Sequence, residues 1–313
     1  MTSRERALRE ISASIVVATS SRYRLLEGLL KSLQDQTFRN FEVILVCINI
    51  DKKMRELSLK YGAKLLKDEG KGRCYARNLG IKEAEGTIVI FLDDDVALEK
   101  DWLELIVKNF NLNPRLGGAG GNPITVKDGK VSSHLTIYEI IYDLMINKAA
   151  GLAGWQAWQG KSRFYKAKVD ILSGSSMAFR RDVLLQIGGF DENFYGPSLG
   201  EDVDLCLRVI KEGYYLILDP KAKAYHYSDH IQRWSAFHKN DPSFFFALAD
   251  NQTYWSVKHQ IVRGLKWLPY VLFRFLIALY FMLRTRNIRI FFSYIKGIVK
   301  GRIRGKFWAY YSL

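Results

Sequence analysis

Hydrophobic and polar positions alternate with two different periods along the first hundred residues. Short, largely apolar runs at 14–18, 41–48 and 87–92 predict buried strands. Between them, residues 22–34 and 72–84 have apolar side chains at helical spacing. Strands and helices that alternate in this way predict βαβ units, and therefore a parallel sheet with right-handed crossovers.

A further helix is predicted to begin near residue 200. Val203, Leu207 and Ile210 recur at helical spacing, so residues 200–202 lie at the start of a helix whose apolar side packs inward. Strand-like stretches at 215–218 and 222–225 follow and lead to a histidine. In one interpretation the acids at the helix start face a cleft. In the alternative they only interact favourably with the helix dipole.

The strand predicted at 87–92 runs directly into Asp93, Asp94 and Asp95. Acids that follow a fully apolar strand lie at the carboxyl edge of a parallel sheet, where open α/β folds bind ligands. Three carboxylates repel one another unless a cation lies among them, and Mg²⁺ or Mn²⁺ suits such oxygen ligands. The pattern predicts a divalent ion that holds a phosphate; the alternative is that the acids only favour the start of the next helix.

Composition indicates a globular protein of a reducing compartment. The chain has 313 residues, of which 48% are hydrophobic, enough for a sizeable core. Its three cysteines are far apart and have no metal-ligand spacing, which argues against a disulfide framework or a zinc site. Residues 1–14 contain no apolar segment typical of a secretory signal, so a cytoplasmic location is expected.

The net charge of +15 is concentrated in one part of the chain. Residues 251–313 contain twelve Lys and Arg and no acid, so the rest of the chain has 35 basic and 32 acidic residues. This asymmetry predicts two domains, a catalytic domain over 1–250 and a basic, aromatic helical tail over 251–313. It also argues against a nucleic-acid-binding role for the first 250 residues.

The tail is predicted to associate with a membrane. Residues 267–283 are strongly apolar but are interrupted by Pro269 and Arg274, whereas a membrane span needs about twenty apolar residues. Residues 288–299 mix aromatic and basic side chains. Amphipathic helices that lie in the interface of an anionic membrane are favoured, and a single span or an ordinary helical tail are the alternatives.

Six features, in this order, resemble the family-2 glycosyltransferases with the GT-A fold over residues 14–227. They are a first strand leading to Thr19 and Arg22, the pattern Gly-x-x-x-Ala-Arg-Asn-x-Gly at 72–80, the acidic triplet, Gly-Gly-Phe-Asp at 188–191, Glu-Asp at 201–202 and His226. The resemblance implies an α/β fold with a mostly parallel central sheet flanked by helices. It also implies metal-dependent, inverting transfer of a sugar from a nucleotide-diphosphate donor to a hydroxyl group.

The resemblance assigns roles to the acids and the histidine. Asp93 is expected to bind the donor ribose, Asp95 to bind Mg²⁺ or Mn²⁺, and Asp94 to assist either neighbour. His226 is expected to complete the metal or diphosphate coordination, or else to be an ordinary histidine at a strand end. Asp202 is expected to be the catalytic base, because the attacking hydroxyl must lose its proton as the new bond forms.

The resemblance also assigns donor-binding residues. Thr19, Arg22, Arg73, Arg77 and Asn78 match positions near the nucleotide or the diphosphate. Many relatives have an acid after the second strand that reads the nucleobase.

Here Cys47 occupies the place of that acid. Asp51 could substitute for it only if the loop is longer or bent. A segment with Trp155, Trp158, Phe164 and Tyr165 is interpreted either as a loop that closes over a sugar or as ordinary packing under a long loop.

The predicted function is transfer of a sugar from a nucleotide-diphosphate donor to a glycan or lipid-linked acceptor, in polysaccharide or glycoprotein assembly. The predicted location is the cytoplasmic face of the cell membrane, bound to an anionic lipid surface, without a nucleic-acid partner. One alternative is a transferase that acts directly on polyprenyl phosphate. Another is a non-enzymatic membrane or nucleic-acid binding module driven by the basic tail.

Overall fold

A ten-stranded sheet with helices on both faces forms the centre of the protein. The computed structural model describes residues 12–20, 22–127, 130–131, 165–196, 198–227, 240–262 and 264–311. The strands are β1 Ala13–Thr19, β2 Phe41–Cys47, β3 Lys64–Lys67, β4 Ile88–Asp93, β5 Val96–Leu98, β6 Leu116–Lys127, β7 Lys130–Val131, β8 Ala167–Val169, β9 Ser176–Arg180 and β10 Tyr215–Tyr227. The helices are α1 Tyr23–Gln34, α2 Lys52–Tyr61, α3 Arg73–Glu83, α4 Trp102–Leu112, α5 Arg181–Gln186, α6 Glu201–Lys211, α7 Pro242–Lys258, α8 Trp267–Thr285 and α9 Ile288–Tyr311.

The strand order confirms the predicted α/β fold. The sheet runs β3-β2-β1-β4-β9-β6-β10-β5, with β7 beside β6 and β8 beside β10. The first four strands are parallel, β9 is antiparallel between β4 and β6, and β6 is parallel to β10. The stretches predicted at 215–218 and 222–225 form one strand, β10, whose pairing is irregular between Asp219 and Lys223.

Alternate residues of the central strands enter two hydrophobic layers. Val16 and Phe91 face the layer that contains α3 and α5 to α9, whereas Ile15, Val17 and Ile90 face α1, α2 and α4. Strands that are covered on both faces favour apolar side chains at nearly every position. This preference explains the hydrophobic runs in the sequence.

The C-terminal helices pack on the first of these layers. Tyr254, Phe281 and Tyr294 belong to the same buried cluster as the sheet residues. The boundary predicted between residues 250 and 251 falls inside α7, whose residues on both sides of that point are buried. Arg274, expected to interrupt an apolar run, is fully buried and donates to Gln252. The change in charge at residue 251 is therefore not a boundary between two hydrophobic cores.

Glycines at every fourth position of α9 allow this packing. Gly297, Gly301 and Gly305 face α7, and a Cβ at Gly301 would lie 2.3 Å from the Asp250 carbonyl oxygen. Small residues at this spacing let two helix backbones approach closely. Arg304, one turn away, donates to the buried Asp250 carboxylate at 2.5 Å and fixes the contact.

We expect Gly301→Ala to destabilise the protein by about 1–3 kcal/mol, because the backbone of α7 would have to move away from the new methyl group. Gly28→Ala in α1 is the matched control, since no atom lies within 4 Å of its Cβ position. That control should raise stability by roughly 0.5–1 kcal/mol. Denaturant unfolding of both variants measures the difference, and equal effects would contradict the close packing.

Candidate active site

Asp93, Asp95 and His226 form a cluster at the carboxyl edge of the sheet. One ligand atom from each lies within 4.8 Å of the others. Asp93 ends β4, and His226 pairs with Val96 in the antiparallel contact of β10 with β5. The Tyr227 amide donates to the Asp95 carbonyl at 2.8 Å, which keeps the two segments together.

The cluster fits a divalent cation. The Nε2 atom of His226 and the Oδ1 atom of Asp95 lie 3.1 Å apart, and both residues are buried. Apart from each other, neither of these two atoms has a polar partner among the described residues. Buried polar atoms without partners are costly. The two carboxylates are suitable ligands for Mn²⁺ or Mg²⁺, and the imidazole offers a nitrogen atom beside them.

Asp95 carries a negative charge at neutral pH. Burial opposes this charge, but His226 and Arg22 outweigh burial and lower the pKa of the carboxyl group. The Nη1 atom of Arg22 donates to Asp95 Oδ2 at 2.8 Å. Asp95 thus has one oxygen fixed by Arg22 and the other directed at His226.

Asp94 positions its neighbours. Its side chain is only 2% exposed, accepts from Thr19 Oγ1 at 2.6 Å and pairs with Arg22. Burial raises the pKa of Asp94 despite these partners. This geometry favours a role in holding Thr19 and Arg22, next to the neighbours that Asp94 was expected to assist.

Arg77 connects the acidic strand end to the start of α6. It is buried and donates to Asp93 Oδ1 at 3.2 Å and to the Gly174 carbonyl at 2.7 Å. Its Nη1 atom lies 3.4 Å from Glu201. Arg73 lies 3.5 Å from the same carboxylate, and its side chain is 36% exposed. Of the two predicted diphosphate contacts, Arg73 is therefore the more accessible one.

Asp202 lies in the first turn of α6 and accepts two backbone hydrogen bonds. Gly174 N–H donates to Oδ2 at 3.1 Å, and Val203 N–H donates to Oδ1 at 2.9 Å. The carbonyl of Gly174 accepts from Arg77, which in turn donates to Asp93. This chain of contacts joins the predicted base to the cation cluster.

Glu201 has a raised pKa. Burial, followed by repulsion from the Asp202 carboxylate, raises its pKa to about 7, although Arg73 and Arg77 act in the opposite direction. A carboxyl group with a higher pKa in the folded chain keeps its proton there while the unfolded chain loses it. Its contribution to stability therefore falls as the pH rises from about 4.5 to about 7.

We expect Glu201→Gln to reduce this fall in stability by up to about 3 kcal/mol, because glutamine does not titrate. Unfolding curves at pH 4.5, 5.5, 6.5 and 7.5 measure it. The exposed Glu56→Gln variant is the control and should keep the wild-type slope. An unchanged slope in Glu201→Gln would contradict the raised pKa.

Cys47 stands where many relatives have the acid that reads the nucleobase. Its thiol is buried and has acids around it. Burial, and then the carboxylates of Asp94, Asp68 and Asp51, raise the pKa of Cys47 to about 12. Asp51 caps α2 through the Met54 amide at 2.9 Å and accepts from Tyr23, which favours a structural role over base recognition.

The sequence analysis did not identify Asp68 as a residue at this sheet edge. It is buried and follows β3, and its amide donates to the Cys47 carbonyl at 2.9 Å. The position directly after a strand, at the same sheet edge as Asp93, is the signal that could have identified it.

Asn78 stabilises a turn. Its Nδ2 atom donates to the Phe190 carbonyl at 2.9 Å and to Glu192 at 2.8 Å, while its Oδ1 atom accepts from the Phe190 amide. Gly189 in this turn has a φ of 70°, and a Cβ there would meet Asn78. These contacts explain the Gly-Gly-Phe-Asp motif and favour a structural role of Asn78 over the predicted donor contact. Trp155, Trp158 and Phe164 lie outside the described residues, whereas Tyr165 is described and exposed.

The chain resembles proteins of known function. It is 25% identical over 228 residues to the glucosyl-dolichyl phosphate glucuronosyltransferase of Haloferax volcanii, covering 69% of each chain. It is 29% identical to the chondroitin synthase of Escherichia coli over 68% of this chain but only 34% of that protein. The fold matches the mannosyltransferase PcManGT of Pyrobaculum calidifontis, solved with GDP-Man and Mn²⁺, with a TM-score of 0.58, 16% identity and coverage of 94% and 88%.

A model of one family covers more than half of the chain. The model described as glycosyl transferase family 2 matches residues 14–188, which include the acidic triplet and the Gly-x-x-x-Ala-Arg-Asn-x-Gly pattern. The predicted membership is therefore confirmed, and the chain belongs to glycosyl transferase family 2.

Proposed function

We propose that this protein is a metal-dependent, inverting glycosyltransferase that moves a sugar from a nucleoside-diphosphate donor to a hydroxyl of a lipid-linked glycan. The observation that carries the proposal is the linkage of two chemically different groups. The cluster of Asp93, Asp95 and His226 is joined to Asp202 through Arg77 and Gly174. A cation site and a base in fixed relation are what this transfer requires.

Asp95 and His226, the predicted ligands, would hold a Mn²⁺ or Mg²⁺ ion, and Asp93 would join them in place of its predicted contact with the donor ribose. When bound, the ion would neutralise the charge of the departing nucleoside diphosphate. Arg22 keeps Asp95 ionised and oriented, and the partly exposed Arg73 adds positive charge beside Asp93 and Glu201. No acid is then needed to protonate the leaving group, because electrostatic stabilisation replaces it.

Asp202 would remove the proton of the acceptor hydroxyl. Its two backbone hydrogen bonds fix the orientation of the carboxylate. One carboxylate acting from the side opposite the leaving group leads to inversion. A polyprenyl phosphate would attack through an oxygen that is already largely ionised near neutrality. The base in α6 therefore favours a hydroxyl acceptor over that alternative.

A membrane location agrees with the outer surface of α8 and α9. Within the described residues, Gly264–Thr285 is the one helix long and apolar enough to cross a membrane, and a third of its apolar window is buried. Its buried side carries Tyr270, Phe273 and Arg274. Its other side exposes four leucines, and α9 exposes four further apolar residues. We call these eight residues the apolar face: Leu268, Leu272, Leu276, Leu283, Phe292, Val299, Ile303 and Phe307.

A helix with one side on protein and one apolar side is typical of an interfacial anchor. A membrane surface brings a lipid-linked acceptor within reach. The cytoplasmic face remains part of the proposal, and the name of the dolichyl phosphate relative supports a lipid-linked acceptor.

Calorimetric titration with UDP-, GDP- and dTDP-sugars, each with and without Mn²⁺, tests the donor. We expect one of them to bind, and to lose its affinity when Mn²⁺ is removed. A CMP-sugar, which has a single phosphate, is the control and should show little dependence on the metal. The absence of any metal-dependent binding, with a lipid-linked acceptor present, would overturn the proposal.

The double variant Leu268→Glu, Leu272→Glu should bind anionic vesicles at least tenfold more weakly than the wild type. The two leucines are exposed, and each would contribute roughly 1.5–3 kcal/mol if buried in lipid. Leu59→Glu is the control, because Leu59 is exposed on α2. Sedimentation with vesicles measures binding. Deletion of residues 251–313 is unsuitable, since α7 to α9 cover the core.

A further inference from the structure

A groove of about 480 Å³ lies between α8 and α9. Trp267, Val271 and Phe275 line one side of it, and Ile295, Arg302 and Lys306 line the other. Val299 and Ile303, which also line the groove, are exposed members of the apolar face. The groove therefore opens among side chains that the proposed function places in the membrane interface.

The two ends of the groove differ in charge. The two helices run antiparallel, with Arg302 4.2 Å from the centroid of the Trp267 ring and Phe275 5.2 Å from Phe291. Arg302 and Lys306 therefore lie at one end, and Phe275 and Ile295 lie at the other. Ile295 and Lys306 are separated by about 16 Å along α9, from the rise per residue of a helix.

Among the described residues, no carboxylate neutralises the cations at this end. Other basic residues of the C-terminal helices pair with buried carboxylates, as Lys258 does with Asp204 and Arg304 with Asp250. Arg302 and Lys306 are exposed and have no carboxylate partner in the described parts of the chain. Residues 251–313 contain no acid at all.

We propose that this groove binds one phosphate-headed anionic lipid of the membrane. The phosphate lies against Arg302 and Lys306, and a hydrocarbon chain extends past Val271 towards Phe275. The proposal rests on the membrane location in the proposed function and adds a specific lipid site to it. Charge at one end, and only apolar side chains at the other, match an amphiphile better than a peptide, whose backbone polar groups would remain unpaired there.

Quenching of Trp267 fluorescence by brominated lipid tests the site directly. Two vesicle preparations contain the same fractions of phosphatidylglycerol and phosphatidylcholine and hence the same surface charge. In the first, only the phosphatidylglycerol chains carry bromine; in the second, only the phosphatidylcholine chains do. The contribution of Trp267 is obtained by subtracting the signal of Trp267→Phe.

We expect the quenching of Trp267, per brominated lipid, to be at least threefold stronger in the first preparation. Arg302→Gln with Lys306→Gln should abolish the difference, while Lys296→Gln, an exposed cation outside the groove, should keep it. Val271→Phe, which fills the groove, should also abolish it, whereas Leu268→Phe should not.

Equal quenching by the two lipids in the wild type would overturn the proposal, because it indicates insertion without a lipid site. A difference that survives Val271→Phe would also overturn it. The donor titration is independent of this result. Metal-dependent donor binding without lipid selectivity would reject the groove alone, and loss of donor binding with intact lipid selectivity would reject the transferase mechanism alone.

Discussion

Asp202→Asn is expected to reduce the rate of sugar transfer by roughly 10²–10⁴-fold, while the donor affinity stays within a factor of about two. Asparagine keeps the shape of the side chain, and its carbonyl oxygen can still accept from Gly174 N–H. It cannot take a proton from the acceptor hydroxyl. The change therefore removes the base without removing the contacts that join α6 to Arg77.

Transfer assays and donor titrations on the same preparation measure the two effects. Asp35→Asn, on the exposed end of α1, removes one carboxylate elsewhere and should behave like the wild type. Transfer by Asp202→Asn within a few-fold of the wild type would show that another group is the base. Loss of donor binding in parallel would indicate a structural role of Asp202 instead.

Asp95→Asn is expected to weaken metal-dependent donor binding by at least 100-fold, which corresponds to about 2.7 kcal/mol. The amide offers one weaker oxygen ligand in place of an ionised carboxylate. Its fold should be retained, because Arg22 keeps its contact with Asp94. Titration of the donor with and without Mn²⁺ measures the loss.

The variant Asp94→Asn distinguishes the residues that bind the cation from the residue that positions them. Asp94 accepts from Thr19 and Arg22, and it is absent from the cluster of Asp93, Asp95 and His226. We expect this variant to lower the unfolding temperature while the dependence of donor binding on Mn²⁺ persists. If Asp95→Asn titrates like the wild type in both conditions, the cation lies elsewhere.

The local part of the fold could be predicted from the sequence. The hydrophobic runs identified β1, β2 and β4 to within one or two residues, because strands covered on both faces are mostly apolar. The acids after β4 followed from the rule that ligands bind at the carboxyl edge of such sheets. The order of the motifs was enough to predict the family, which the match over residues 14–188 confirms.

The tail shows where composition was insufficient. Its charge predicted a separate domain from residue 251, and Arg274 was read as an interruption of an apolar segment. In the folded chain Arg274 is buried against Gln252, and the glycines of α9 pack on α7 across the predicted boundary. The sequence predicted the helices but not which side of each faces protein, because packing partners and not helix period decide that.

The sequence by itself determined the strands, the helices and the chemical types at the sheet edge, because these depend on the period and the identity of neighbouring residues. Only the tertiary structure decided which of these groups meet. It places His226 3.1 Å from Asp95, connects Asp202 to Arg77 through Gly174, and assigns Asn78 to a turn. Such contacts join segments up to 131 positions apart, and they depend on the register of β10 against β5 and on the packing of α6. A linear pattern of residues does not contain that register.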